Sequence, residues 1–250
     1  MKIFGLIGYP LTHSLSQKLF IEKFQKENIK NVTYKTFPLK NLKDFNELFI
    51  QNPELAGLNV TIPYKEQIIK HMDEIDDIAR KVGAVNTIKI KKSKNKIKLI
   101  GYNTDVYGFY HSLRSILKPM HKNALILGTG GASKAVAYVL QQLDIKYFFI
   151  SRNPETRKEI SYSDLCFTII DSFNLIVNTT PLGTYPNVES YPPIPYEFLS
   201  KDHILYDLVY NPDETLFLKM GKQKNATTIN GLSMLKLQAE KAWEIWNSKL

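Results

Sequence analysis

Cysteine is nearly absent: Cys166 stands alone, so the chain can form no internal disulfide and no multi-cysteine metal site. That composition favours a reducing compartment. Arginine is almost as scarce, since Arg80, Arg114, Arg152 and Arg157 are only four of the 33 basic residues and lysines supply the other 29. Base readout and phosphate clamping on nucleic acids favour the guanidinium fork, so the net charge of +9 does not by itself make a nucleic-acid surface. No apolar run approaches the roughly 18 residues that cross a bilayer. The run at residues 3–7 meets Gly8 and Pro10, too soon for the apolar stretch of a signal peptide. Internal repeats and low-complexity segments are missing too. These absences predict a cytoplasmic protein with no metal, no membrane contact and no nucleic-acid partner.

What is present is core-forming material. With 250 residues, 44% hydrophobic and 12% aromatic, the chain can bury one large core or two ordinary ones. Short apolar runs alternate with amphipathic stretches, the pattern of an α/β protein built on parallel strands. Strands are predicted at 2–7, 32–37 and 55–60, with helices at 16–27 and around Leu42, Phe45, Leu48 and Phe49. Pro63 suits the first turn of a helix running towards His71. The densest charge, Lys89, Lys91, Lys92, Lys94, Lys96 and Lys98, alternates with Ile88, Ile90, Ile97 and Leu99 and reads as a β-hairpin with one solvated face. Further helices are predicted at 106–117, 132–143 and 231–246, and strands at 123–127, 146–150, 175–177 and 204–209. The change of register near Thr104 predicts two α/β domains with a boundary near residue 103.

ALILGTGGASKAVAYVL reads as strand, glycine-rich turn and helix. Gly128 and Gly130 permit a tight turn and close backbone approach to a pyrophosphate, and Ser133 is small enough for close helix–strand packing. The next strand ends about 20 residues on, where an NAD site would place a carboxylate for the ribose. Ser151, Arg152 and Asn153 stand there instead, with Arg157 nearby. A guanidinium fork matches a 2′-phosphate, so NADP(H) is expected over NAD(H). Polar clusters also close the strands of the first half: His13-Ser14-Leu15-Ser16, Asn59-Val60-Thr61-Ile62-Pro63-Tyr64-Lys65, Gly83-Ala84-Val85-Asn86-Thr87 and Gly101-Tyr102-Asn103-Thr104-Asp105. Hydroxyls, amides, one ammonium and one carboxylate suit a polyhydroxylated small acid with a proton donor beside it. His13 is expected to shape its turn.

Nine motifs in order, GYPLTHSLS, NVTIPYK, GAVNT, GYNTDVYGF, GTGGAS, SRNPET, NTTPLG, YDLVYNPDET and GLSMLKLQ, resemble the shikimate dehydrogenase family. The resemblance implies a substrate-binding catalytic domain from residues 1–103 and 231–250, a Rossmann-like NADP-binding domain at 104–230, and a C-terminal helix packing back on the first. It implies reversible NADPH-dependent reduction of 3-dehydroshikimate to shikimate, in chorismate and aromatic amino-acid biosynthesis. A quinate/shikimate dehydrogenase using NAD or NADP is the alternative. Carried onto matching positions, Lys65 and Asp105 are the catalytic pair. Ser14, Ser16, Thr61, Asn86, Tyr210 and Gln238 join them as substrate contacts. Gly128, Gly130, Gly131, Ala132, Ser151, Arg152, Asn153, Thr179 and Gly231 are the cofactor contacts. A small-molecule substrate is the implied partner, and a homodimer is allowed for. The chain departs from the family pattern at Ser151-Arg152-Asn153 and at Thr184, which follows NTTPLG where a methionine is frequent.

Overall fold

The computed structural model describes residues 1–11, 14–94 and 96–248. The chain divides into two compact units, Met1–Gly108 with Lys236–Leu250, and Phe109–Leu235. Each is an α/β unit built on one six-stranded sheet.

In the first unit the strands are β1 (Lys2–Gly8), β2 (Val32–Pro38), β3 (Leu55–Val60), β4 (Glu74–Ile75), β5 (Thr87–Ser93) and β6 (Lys96–Tyr102), and the helices are α1 (Ser16–Lys26), α2 (Glu47–Gln51), α3 (Asp77–Val82) and the start of α4 (Asp105–Arg114). The sheet order is β2-β1-β3-β5-β6-β4. β1 lies parallel to both β2 and β3, and the β5–β6 hairpin adds to β3 antiparallel, so this sheet is mixed. Alternation along β1 feeds two cores. Ile3 and Ile7 join Leu55, Leu58, Phe45 and Ile68 on one face, while Phe4 and Leu6 join Phe20, Phe24, Tyr34 and Trp246 on the other.

Trp246 lies across Gly57, where an added Cβ would stand 2.5 Å from the indole, and its Nε1 donates to the Ile88 carbonyl at 3.0 Å. Only glycine at 57 allows the final helix, α8 (Leu232–Asn247), to seat that ring.

Three expectations need correcting. Residues 42–49 form a 3₁₀ turn (Leu42–Asn46) and the five-residue α2, which stops just before Pro53. No helix starts at Pro63. The Lys65 carbonyl accepts from Val85 N–H at 2.7 Å, and the Ile69 N–H turns to Glu66, so only a 3₁₀ turn forms at Gln67–His71. Lys89 is not on a solvated face: it is 5% exposed, and its ammonium donates to the carbonyl and hydroxyl of Ser248, each at 2.7 Å.

The second unit contains β7 (Asn123–Leu127), α5 (Gly131–Gln142), β8 (Lys146–Ser151), β9 (Glu159–Ser161), α6 (Phe167–Ser172), β10 (Leu175–Asn178), β11 (Ile204–Asp207), α7 (Leu216–Gln223) and β12 (Thr227–Ile229). Their order is β12-β11-β10-β7-β8-β9, and every neighbouring pair is parallel. β7, β10 and β11 are apolar almost throughout because both faces are covered. The chain winds outwards from β7 to β9, returns to β10 and winds the other way. The β7/β10 junction is therefore the switch point, beyond whose strand ends such sheets bind ligands.

Among the described residues no helix is long and apolar enough to cross a membrane, and no group of three or more His, Cys, Asp or Glu is placed to hold a metal.

Candidate active site

In the first unit Lys65 Nζ donates to Asp105 Oδ2 at 2.7 Å. The two side chains retain only 15% and 7% of their exposure. Tyr64 sets the lysine: its ring is buried and its hydroxyl donates to the Leu39 carbonyl at 2.6 Å, leaving the next side chain to face Asp105. Asp105 opens α4, where a carboxylate faces the positive end of the helix dipole. Asn103 fixes that start by accepting from Val106 N–H at 3.2 Å and donating to the Ala84 carbonyl at 2.9 Å.

One residue before Asp105, Thr104 belongs to a buried network of amides and hydroxyls. Asn86 Oδ1 accepts from Thr104 N–H at 2.7 Å, so its amide nitrogen turns towards Gln238 Oε1 at 3.4 Å. The Thr104 hydroxyl lies 3.2 Å from both Asn86 Oδ1 and Gln238 Oε1 and can donate to one at a time. Behind Asn86, Thr87 Oγ1 accepts from Asn59 Nδ2 at 3.2 Å, and Asn59 Oδ1 accepts from the Tyr34 phenol at 2.8 Å. Tyr34 is stacked on Phe20 at 4.4 Å, and burial pushes its phenol well up. Every member has a partner, which fixes the amide orientations.

Of the remaining expected contacts in this unit, Ser14 Oγ accepts from Ser16 N–H at 3.3 Å. Ser16 itself is buried at the start of α1. Thr61 stands half-buried directly after β3, its N–H bonded to the Ile7 carbonyl. His13 lies outside the described residues.

The second unit carries the glycine turn. Gly128 has φ +99°, the left-handed region, and an added Cβ there would stand 2.9 Å from Thr180 Cγ2. Gly130 has nothing within 4 Å of an added Cβ, and Thr129 and Gly130 are exposed. Gly131 and Ala132 begin α5, whose first turn holds no acid and whose leading N–H groups lack intrahelical acceptors. Ser133 is fully buried and donates to the Gly130 carbonyl at 2.6 Å, drawing the turn onto the helix.

After β8, Ser151 Oγ accepts from Asn153 N–H and donates to the Asn153 carbonyl, a small loop that presents Arg152 on the surface. Arg152 also acts on Tyr162, whose phenol burial pushes up to about 12 against the pull of that guanidinium. Lys158 is spent over the Tyr147 ring at 5.2 Å, whereas Arg157 is exposed. Across the switch point Thr179 Oγ1 donates to the Leu127 carbonyl at 2.7 Å, which binds the end of β10 to the glycine turn. Tyr210 and Gly231 also lie in this unit, Gly231 N–H bonding the Val209 carbonyl at 3.0 Å.

Residues 6–88 match the family model for the shikimate dehydrogenase substrate binding domain. The shikimate dehydrogenase (NADP(+)) of Methanococcus aeolicus is 40% identical over 266 residues, an alignment covering 98% of this chain and 91% of that one. The chain belongs to the shikimate dehydrogenase family. Among solved shikimate dehydrogenases, that of Aquifex aeolicus has a TM-score of 0.87 at 35% identity, covering 99% of this chain and 92% of its own. The Thermus thermophilus enzyme in complex with NADP(H) and shikimate has a TM-score of 0.84 at 28% identity, covering 99% and 94%.

For a shikimate dehydrogenase read from sequence, the supporting residues are the hardest to see. Thr104, Thr87 and Tyr34 carry no motif of their own. Asn59 gives one signal, an amide inside the apolar run of β3, and Asp207 gives another, a lone carboxylate closing the apolar β11.

Proposed function

We propose that this chain catalyses the reversible NADP-dependent interconversion of 3-dehydroshikimate and shikimate, a step of chorismate and aromatic amino-acid biosynthesis. The observation that carries the reading is the Lys65–Asp105 contact at 2.7 Å, one residue along from the Asn86–Thr104–Gln238 cluster. An ammonium held by a carboxylate, beside amides of fixed orientation, suits a ketone flanked by hydroxyls.

The second unit fits NADP(H) by its donor set. The left-handed Gly128, the open space over Gly130 and the acid-free first turn of α5 suit a pyrophosphate, and the exposed Arg152 suits a 2′-phosphate. Gly128, Gly130, Gly131 and Ala132 would hold the pyrophosphate; Ser151, Arg152 and Asn153 the phosphorylated ribose; Thr179 and Gly231 the nicotinamide end. When bound, the cofactor supplies or takes up the hydride.

On the substrate, Lys65 donates its proton to the carbonyl oxygen as that oxygen gains negative charge. In the reverse direction the same amine accepts the hydroxyl proton. Asp105 aims Lys65 and keeps its charge paired in a nearly buried setting. Ser14 and Ser16 receive the substrate carboxylate, Thr61, Asn86 and Gln238 the ring hydroxyls, and Tyr210 contacts the substrate from its own loop. A cytoplasmic location accords with the single cysteine, exposed and unpaired. A homodimer is the assembly proposed, to be checked by light scattering.

Steady-state oxidation of shikimate and quinate, each with NADP+ and NAD+, tests the function. Shikimate with NADP+ should give the highest kcat/KM. Equal use of NAD+ and NADP+ would remove the role given to Arg152, and no turnover of shikimate would end the reading.

A further inference from the structure

Asp207 closes β11 in the second unit and is fully buried. Among the described residues no lysine, arginine or histidine pairs with it; it is held by donors alone. Its Oδ1 accepts from Asn178 Nδ2 at 2.9 Å and from Val209 N–H at 3.0 Å, and its Oδ2 accepts from the Thr215 hydroxyl at 2.6 Å. Three segments thus meet on one carboxylate: the last residue of β10, the loop after β11 and the N-cap of α7, where Thr215 accepts from Leu218 N–H.

Two of these bonds, those from Asn178 and Val209, lead on to the residues proposed for the nicotinamide end. Asn178 Oδ1 accepts from the Thr180 hydroxyl at 2.6 Å and its N–H at 3.0 Å, which holds the Thr179–Thr180 step against Gly128. The Val209 carbonyl accepts from Gly231 N–H at 3.0 Å, and Tyr210 follows Val209 directly. Thr179, Tyr210 and Gly231 therefore all hang from Asp207 by one or two links.

We propose that Asp207 is the positioning residue for the nicotinamide half of NADP(H), fixing the loops after β10 and β11 as one unit. The inference rests on the reading of Phe109–Leu235 as the NADP unit. An unpaired buried carboxylate is costly, and an apolar side chain would pack at less cost. Burial raises this carboxyl to about 6, against the opposing bonds from Thr215, Val209 and Asn178. Only a carboxylate accepts three bonds while presenting no donor of its own. Asparagine at 207 would turn an amide N–H towards one of three donors.

Isothermal titration of the full chain with NADP+ and, separately, with 2′,5′-ADP, which lacks the nicotinamide half, tests the assignment. Asp207→Asn should weaken NADP+ about tenfold and leave 2′,5′-ADP within twofold of wild type. Unchanged NADP+ affinity, or equal weakening of both ligands, would overturn it. Should that variant fail to fold, Thr215→Val keeps the carboxylate and removes one donor. It should show the same selective loss, smaller in size, and an equal loss for both ligands or none would count against the proposal. Wild-type protein that binds NADP+ no better than NAD+ would instead strike the NADP reading itself.

Discussion

Lys65 and Asp105, forty residues apart in the chain, close to 2.7 Å at a site where both side chains are mostly buried. Neither partner comes from a regular strand. Lys65 follows a turn, its own carbonyl taken by Val85 N–H, and Asp105 is the first residue of α4. A nearly buried charge pair of this kind adds little net stability, because desolvation offsets most of its attraction. Its geometry suits the proton transfer proposed for it.

Replacing Lys65 with alanine removes the proposed proton donor and changes no residue of the second unit. Positioned acid–base groups contribute on the order of 10²- to 10⁴-fold, and kcat should fall by that amount. The NADP+ affinity measured by titration should stay within twofold. Asp105→Asn should lower kcat less, about 10²-fold, by misdirecting the lysine. Wild-type turnover in Lys65→Ala would sink the mechanism.

Much of the fold was legible because periodicity is a local property. β3 and β7 follow their apolar runs residue for residue, and the glycine turn announces both the strand before it and the helix after it. Lys89 was not legible: the alternation that marks it as outward holds for the hairpin, but Ser248, 159 residues away, covers that face. The failed helix at Pro63 has the same origin, a distant N–H capturing the Lys65 carbonyl. Lys65 and Asp105 could be named from motifs. The chain Tyr34–Asn59–Thr87–Asn86 that stands behind them depends on three strands meeting, which no single segment encodes.

Tyr34→Phe should separate that supporting chain from catalysis. The change leaves the buried Asn59 Oδ1 without its phenolic donor, a loss of roughly 1–3 kcal/mol. Denaturant unfolding should register it as a lower midpoint at constant slope. The KM for shikimate should rise severalfold through a loosened Asn86, while kcat and NADP+ affinity hold. An unaltered KM would show that Asn86 keeps its orientation without Tyr34.

Among the proposed cofactor contacts Arg152 has the sharpest chemical signature. Loss of a charge-assisted bond to phosphate is worth roughly 1.5–3 kcal/mol, so Arg152→Ala should raise the KM for NADP+ about 10- to 100-fold and leave that for NAD+ nearly unchanged. Arg157→Ala should have a smaller effect in the same direction, since Arg157 is exposed whereas Lys158 lies over Tyr147. Equal losses with both nucleotides would move the 2′-phosphate away from Arg152.

Gly231→Ala tests the proposed nicotinamide end by steric means. An added Cβ would stand 2.1 Å from the Leu208 carbonyl oxygen and 2.7 Å from its carbon, both backbone atoms that cannot swing aside. Either the Leu208–Val209 segment or the first turn of α8 must move, and the 3.0 Å bond between Gly231 N–H and the Val209 carbonyl lengthens. Such overpacking typically costs about 1–3 kcal/mol. The variant should therefore unfold at a lower denaturant concentration and bind NADP+ more weakly, with 2′,5′-ADP affinity less affected because Ser151, Arg152 and Asn153 are far along the chain. Full stability together with full NADP+ affinity would mean that the Leu208 backbone yields freely, and that Gly231 has no part in shaping the nicotinamide end.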